Sequence, residues 1–259
     1  MRLLGKVAFV TGGGVGIGRA ISLMFAREGA DVSLAARSID RMEEVAHEIR
    51  AMGRKALVNA MDVTSVEQVD RAVKRTLEEF GRIDILVNNS GIAGPTAPVY
   101  EITPEQWDET FNVNLKGAFL CCRAIVPIMI KQRSGKIINI ASMTGKRPLP
   151  MRTPYCATKM GLIGFTRCLA SELGKFNINV NAICPGPVAG SRIESVIKNA
   201  AKAEGVSEEE VRNRFLSASP LRRFVSAEDV AKCAVFLASD DATNMTGQDI
   251  NVTAGIVMY

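Results

Sequence analysis

Short runs of Val, Ile, Ala and Leu alternate with amphipathic stretches along nearly all 259 residues, and few folds are compatible with that rhythm. The candidate strands are Lys6–Thr11, Asp31–Ala36, Lys55–Ala60, Ile83–Asn88, Lys136–Ile140, Asn177–Cys184 and Gln248–Val252. None shows a clean polar/apolar alternation, which is the pattern of strands covered on both faces. Strands that alternate with helices join through right-handed crossovers into a doubly wound parallel sheet, an α/β fold. Helix starts carry their own marks. Ser65-Val66-Glu67-Gln68, Thr103-Pro104-Glu105-Gln106 and Ser207-Glu208-Glu209-Glu210 read as capping boxes, the second with proline at the first helical position. No repeat, low-complexity segment or linker divides the chain. With 47% hydrophobic residues it can bury the core of a single domain spanning 1–259.

Pro185 to Phe224 breaks the rhythm. It follows a strand but holds two polar, amphipathic pieces, Arg192–Ala203 and Glu208–Leu216, separated by Gly205. Ligands of this fold bind beyond the carboxyl ends of the strands, so an insertion there is placed to act as a lid. An oligomer-contact excursion is the other reading.

Composition removes several classes. The net charge is +5, but the 32 Lys and Arg are spread along the chain, apart from short clusters at Lys131–Lys136 and Arg222-Arg223. No concentrated basic stripe or known module marks a nucleic-acid reader. The six cysteines (121, 122, 156, 168, 184 and 233) form no Cys-x-x-Cys pair and sit in apolar surroundings, as buried free thiols of a reducing compartment do. The single histidine, His47, lies in a charged amphipathic stretch and is expected on the surface; with one histidine, neither a His-based triad nor a His-rich metal site is expected. Met1–Gly5 leads directly into the first apolar run, with no signal-peptide pattern. The longest apolar stretch, Gly117–Ile130, holds Arg123 and Pro127 and is too short to span a bilayer. A soluble cytoplasmic protein is expected.

The first strand ends in Thr11-Gly12-Gly13-Gly14-Val15-Gly16-Ile17-Gly18 and runs into the helix Arg19–Glu28. Glycines permit a tight turn and close approach of backbone to a pyrophosphate, which then lies at the helix N-terminus. The run reads T-G-x-x-x-G-x-G and fits G-x-G-x-x-G in no register. Its place after a first strand and before a helix makes it a dinucleotide loop rather than a structural turn. At the end of the second strand an acid would bond the ribose 2′-hydroxyl, whereas an arginine accommodates a 2′-phosphate. Ala36 stands where the acid would be, followed by Arg37 and Ser38. Arg37 can fork onto a phosphate and Ser38 can donate beside it, which favours NADP(H) over NAD(H).

Tyr155 and Lys159 are one helical turn apart, with Ser142 thirteen residues upstream of the tyrosine. Reference pKa values are about 10 and 10.4 for the two groups, and a fixed positive charge favours the phenolate. The phenol is therefore expected to exchange a proton near neutral pH as a general acid or base. An exposed helix-surface pair is the bland alternative for the spacing alone.

Taken together, these residues resemble the short-chain dehydrogenase/reductase family in its compact branch, from about Gly5 to Gly255. The likeness rests on Thr11–Gly18, Asp62-Val63, Asn88-Asn89-Ser90-Gly91, Asn114, Ser142, Tyr155/Lys159 and Pro185-Gly186. It implies a Rossmann-type fold in which Gly12, Gly16, Ile17 and Gly18 line the pyrophosphate and Asp62 and Val63 contact the adenine. Asn89 would lie beneath the cofactor, and Lys159 would hold the nicotinamide ribose. Val188 would touch the carboxamide. Ser142 would bond the substrate oxygen, Tyr155 exchange the proton, and Asn114 hold the water of a relay through Lys159. The implied activity interconverts a ketone and a secondary alcohol, with 3-oxoacyl-thioester reduction as the default. A small, sugar, polyol or cyclic alcohol is the alternative substrate. A catalytically inactive NADP(H)-binding sensor and an enoyl reductase are rival readings, the first against the presence of both Tyr155 and Lys159, the second against their spacing. Met143, Thr144, Gly94, Pro95, Pro148–Met151 and the insertion should shape the pocket. Arg147 and Arg152 either attract an anionic substrate group or lie at a surface or interface. The resemblance further implies a homo-oligomer, tetramer or dimer, through the helices Thr110–Lys131 and Pro154–Gly174 and the C-terminus. No metal, nucleic acid or membrane partner is expected.

Overall fold

The computed structural model describes residues 1–259. Seven strands, β1 (Val7–Thr11), β2 (Asp31–Ala36), β3 (Ala56–Ala60), β4 (Ile85–Asn88), β5 (Gly135–Ile140), β6 (Ile178–Pro185) and β7 (Asp249–Val252), form one sheet. Its order is β3-β2-β1-β4-β5-β6-β7 and every pairing is parallel. All seven expected strands exist, each end within two residues of its expected place.

Helices α1 (Gly16–Arg27), α2 (Ile39–Ala51), α3 (Val66–Phe80), α4 (Pro104–Phe111), α5 (Gly117–Gln132) and α6 (Thr153–Leu173) alternate with the strands; α7 (Ser191–Glu204), α8 (Glu208–Ala218) and α9 (Ala227–Ala238) follow β6. The two faces of the sheet carry separate cores. Ala8, Val10, Ile85 and Val87 point to a cluster shared with Ile21, Phe25, Val45, Val230 and Val235 of α1, α2 and α9. Phe9 and Leu86, one residue out of phase, point to the other, with Val69, Val73, Cys121 and Ile125 of α3 and α5. Period-two side chains buried on both faces are why β1 and β4 show no polar alternation.

Helix ends differ in part from their sequence signatures. The box at Thr103 is complete, with Gln106 reaching back to the Thr103 N–H. Ser65 and Ser207 each accept only the forward bond, from Gln68 and Glu210. Gln68 instead takes the Asp62 N–H at 2.8 Å, so its side chain serves the neighbouring loop. His47 is exposed as expected, but Cys168 is exposed too, because it falls on the outward side of α6, and so departs from the buried-thiol expectation.

Helix runs unbroken from Pro104 to Gln132, 29 residues, long and apolar enough by composition to cross a membrane, against the expectation drawn from Gly117–Ile130 alone. Forty-four per cent of its most apolar window is buried inside the protein. Within it, Asn112–Lys116 forms a π turn, with the Gly117 N–H reaching back to Asn112 O. The α7–α8 pair has its own small core of Ile193, Ile197, Ala201 and Val211, separate from both faces of the sheet.

Candidate active site

Strand order reverses direction between β1 and β4, the place where an open α/β sheet leaves a crevice at its carboxyl edge. Thr11 ties the two strand ends together there. Its Oγ1 accepts from the Asn89 and Ser90 N–H groups at 2.9 Å each and donates to Val87 O at 3.3 Å. Asn89 returns the link, donating through Nδ2 to Thr11 O and Gly12 O at 3.0 and 3.2 Å.

The glycine loop folds tightly onto this junction. Gly12 has φ +64°, and a Cβ there would meet Asn89 Nδ2 at 2.9 Å; a Cβ on Gly18 would overlap Gly12 O. Gly16 also has positive φ, and the place of its absent Cβ is open. Val15 is the N-cap of α1 and offers no side-chain acceptor, and no acid stands in the first turn. The first N–H groups of α1 thus meet open space with the positive end of the helix dipole behind them, an arrangement that suits a pyrophosphate. Ile17 is half-buried in the same turn.

At the end of β2, Arg37 is exposed, and Ser38 is the N-cap of α2 without making a cap bond, so its hydroxyl is uncommitted. Asp62 stands nearby at the end of β3. Its Oδ1 accepts from the Thr64 N–H and hydroxyl at 2.9 and 2.7 Å, and those bonds, helped by the Arg37 charge, hold its carboxyl below the usual carboxylate range. Val63 is buried beside it, against Gly117. These residues fit an adenosine carrying a 2′-phosphate: a free guanidinium and hydroxyl at a helix N-terminus, with no acid at position 36 to repel it.

Ser142, Asn114, Tyr155 and Lys159 gather at the carboxyl edge of β4 and β5. Ser142 follows β5 and is buried; its Oγ accepts from the Thr144 N–H at 3.2 Å and the Thr144 hydroxyl at 3.0 Å. With both lone pairs engaged, its own proton is left to donate. Tyr155 and Lys159 project from the first turns of α6, with Lys159 Nζ 5.7 Å from the tyrosine ring centre. Lys159 is not an exposed partner: it is 4% accessible, and Nζ donates to Ile140 O at 2.7 Å. Burial, with some repulsion from Arg192, brings its pKa down to about 7. The alternative of an exposed helix-surface pair therefore does not hold for Lys159. A desolvated lysine poised near neutrality gains and loses a proton itself.

Asn114 lies inside the π turn, a feature common at functional sites. Its Oδ1 accepts from the Ile92 N–H at 2.7 Å; its Nδ2 donates to Ile92 O at 3.0 Å and to Thr158 Oγ1 at 3.2 Å. Both Nδ2 hydrogens are thus spent on protein groups, and a water held by this side chain would use the second lone pair of Oδ1. Deeper, Asn88 Nδ2 donates to Asn139 Oδ1 and Asn139 Nδ2 to Thr166 Oγ1, both at 2.9 Å, which fixes β4, β5 and α6 to one another beneath the site.

The α7–α8 segment faces the same edge. Val188 pairs with Val225 in an isolated parallel bridge, and Arg192 Nη2 donates to Gly91 O at 2.7 Å. Arg147 is exposed, but Arg152 is 4% accessible and not a surface residue; Nη2 donates to Ala93 O at 2.6 Å and Cζ lies 5.2 Å from the Tyr155 ring centre. Thr158 was not singled out from the sequence, Thr144 was expected only to shape the pocket, and Thr11, Gly91 and Arg192 were named only as parts of longer segments. Thr11 and Thr144 sit in motifs already noted, whereas Arg192 gains its place only by the folding back of α7.

A family model described as short chain dehydrogenase matches residues 6–201. The chain is 39% identical over 258 residues to the 3-oxoacyl-(acyl-carrier-protein) reductase FabG of Thermotoga maritima, covering all of both chains. It is 42% identical over 256 residues to galactitol 2-dehydrogenase of Agrobacterium fabrum, covering 98% of each. Among solved structures, NAD+-bound xylitol dehydrogenase superposes with a TM-score of 0.96 at 32% identity, over 98% of this chain and all of the other.

Proposed function

The chain belongs to the short-chain dehydrogenase family and is an oxidoreductase of the CH–OH/C=O pair; on that premise we propose an NADP(H)-dependent interconversion of a ketone and a secondary alcohol within one catalytic domain. The observation that carries the reading is the buried Lys159, held by Ile140 O with Nζ 5.7 Å from the Tyr155 ring centre and its pKa near 7.

Gly12, Gly16, Ile17 and Gly18 would hold the pyrophosphate, Asp62, Val63 and Asn89 the adenosine and the underside, Arg37 and Ser38 the 2′-phosphate, and Val188 the carboxamide. When bound, the nicotinamide supplies the hydride for the carbonyl carbon. Ser142, its lone pairs engaged by Thr144, donates to the substrate oxygen. Tyr155 gives that oxygen its proton, and the two donors together stabilise the charge that develops there. Lys159 then returns a proton to Tyr155; a group with pKa about 7 can do so and be reprotonated through a water on the Asn114 side. A proton carrier matched to the operating pH is the efficient choice.

The α7–α8 segment serves as the lid. Its own apolar core lets it move as a unit, and Arg192 latches it to Gly91 at the mouth of the site. Assembly into a tetramer or dimer is supported by Phe119 of α5 and Met160 of α6, 47% and 53% exposed. A cytoplasmic location goes with the reducing role.

A second reading, oxidation of a polyol with NAD+, draws on the galactitol and xylitol dehydrogenases. Fluorescence titration with NADPH and NADH separates the two. Tighter NADPH binding by tenfold or more, about 1.4 kcal/mol, is expected; equal or tighter NADH binding sinks the NADP(H) assignment.

A further inference from the structure

Arg152 is the one arginine of the chain that is almost wholly buried. Its Nε has no hydrogen-bond acceptor, and its single bond is to Ala93 O. Arg192, across from it, is likewise bonded to main chain alone, at Gly91 O. Neither takes part in any ion pair of the molecule. The two line a cavity of about 330 Å³ with Thr96, Ser191, Ser195 and Asn199, and no acidic residue borders it. A buried guanidinium remains charged, and burying a charge without a counter-ion is expensive. Burial pulls Arg152 below the usual arginine range; Tyr155 and Cys156 oppose that pull in part and Arg192 adds to it. Two like charges therefore line one cavity with no carboxylate to offset them, only the face of the Tyr155 ring beside Arg152.

We propose that Arg152 and Arg192 form the receptor for an oxyanion carried by the substrate, a carboxylate or phosphate ester a short spacer away from the reacting carbonyl. The proposal rests on the ketone/alcohol reading above and narrows it to anionic substrates. Distance supports the pairing, because the Arg152 guanidinium carbon is 5.2 Å from the Tyr155 ring centre. Forked donors on two sides of a polar cavity match the geometry of either oxyanion. Latching to Gly91 by Arg192 means that the lid also carries half of the receptor. The bland alternative is a clamp that pins residues 91–93 and recognises nothing.

The test is steady-state reduction with NADPH of acetoacetate against methyl acetoacetate, and of dihydroxyacetone phosphate against dihydroxyacetone. Wild type, Arg192→Gln and Arg152→Gln are compared. Arg192 also presses on the Lys159 charge, so absolute rates will change, but the ratio between two substrates in one variant cancels that effect. Wild type is expected to prefer one anionic member by tenfold or more in kcat/KM, and Arg192→Gln to remove most of that preference through KM. The pair that shows the preference tells carboxylate from phosphate. Equal loss on charged and neutral partners, or no preference in wild type, overturns the receptor and leaves the clamp. Arg192 is exposed, so its variant keeps the test open if Arg152→Gln does not fold. If no ketone is turned over, the reductase reading fails. The receptor is then judged by calorimetry with malonate: binding to wild type but not to Arg192→Gln retains it, and absence of binding overturns it.

Discussion

Asn114 meets Ile92 twice, accepting its N–H at 2.7 Å and donating to its carbonyl at 3.0 Å, so one side chain pairs with the loop after β4 as a neighbouring strand would. The π turn at Asn112–Lys116 is what presents the amide at that height. Gly91 lies between this amide and the lysine, since a Cβ there would stand 3.1 Å from Asn114 Oδ1 and 3.7 Å from Lys159 Nζ.

Asn114→Leu should therefore act on stability and turnover together. It strands the Ile92 N–H and carbonyl in a partly buried place, at a cost of about 1–3 kcal/mol. Urea unfolding should show that loss with an unchanged m-value, and kcat should fall. Stability and kcat both equal to wild type would refute the assignment.

Tyr155→Phe removes the proton donor but keeps the ring that Arg152 and Lys159 face. Turnover should drop by roughly 10²–10⁴-fold, the range for loss of a positioned acid or base, with NADPH binding retained. Near-normal turnover would end the proposed chemistry.

Lys159 carries a pH signature that can be read without substrate. Its folded pKa is about 7, against 10.5 ordinarily, so between those values the unfolded chain binds the extra proton and folded-state stability rises with pH. Below pH 7 both states are protonated and the folded state bears the full cost of the buried charge. Lys159→Met should thus gain most over wild type near pH 6.5. The gap should narrow toward pH 10 by at most about 1.4 kcal/mol per pH unit. Groups common to both proteins cancel in the difference. A gap constant with pH would show that Lys159 does not titrate in this window.

Arg37→Asp should exchange cofactor preference. An acid at the end of β2 repels a 2′-phosphate and accepts from a 2′-hydroxyl. Weaker NADPH binding and unchanged or tighter NADH binding are expected in fluorescence titration; NADPH affinity equal to wild type would remove Arg37 from the site.

What the sequence determined by itself was set by local and periodic signals. Doubly buried strands, a glycine loop between β1 and α1, the Thr103 box and the Tyr155–Lys159 spacing each follow from steric or hydrogen-bond rules acting within a few residues. Those signals suffice to place seven strands and the proton-transfer pair. Tertiary structure decided the rest, because burial and charge balance depend on what packs from elsewhere. Helical periodicity hides the one-residue widening that makes the π turn around Asn114. Spacing shows Lys159 beside Tyr155 but not its burial against Ile140 O, which brings its pKa down to about 7. Arg152 reads as a surface cation until α7 folds back and sets Arg192 across from it, 40 residues away in the chain. An electrostatic environment is a sum over every neighbour, and no single segment contains that sum.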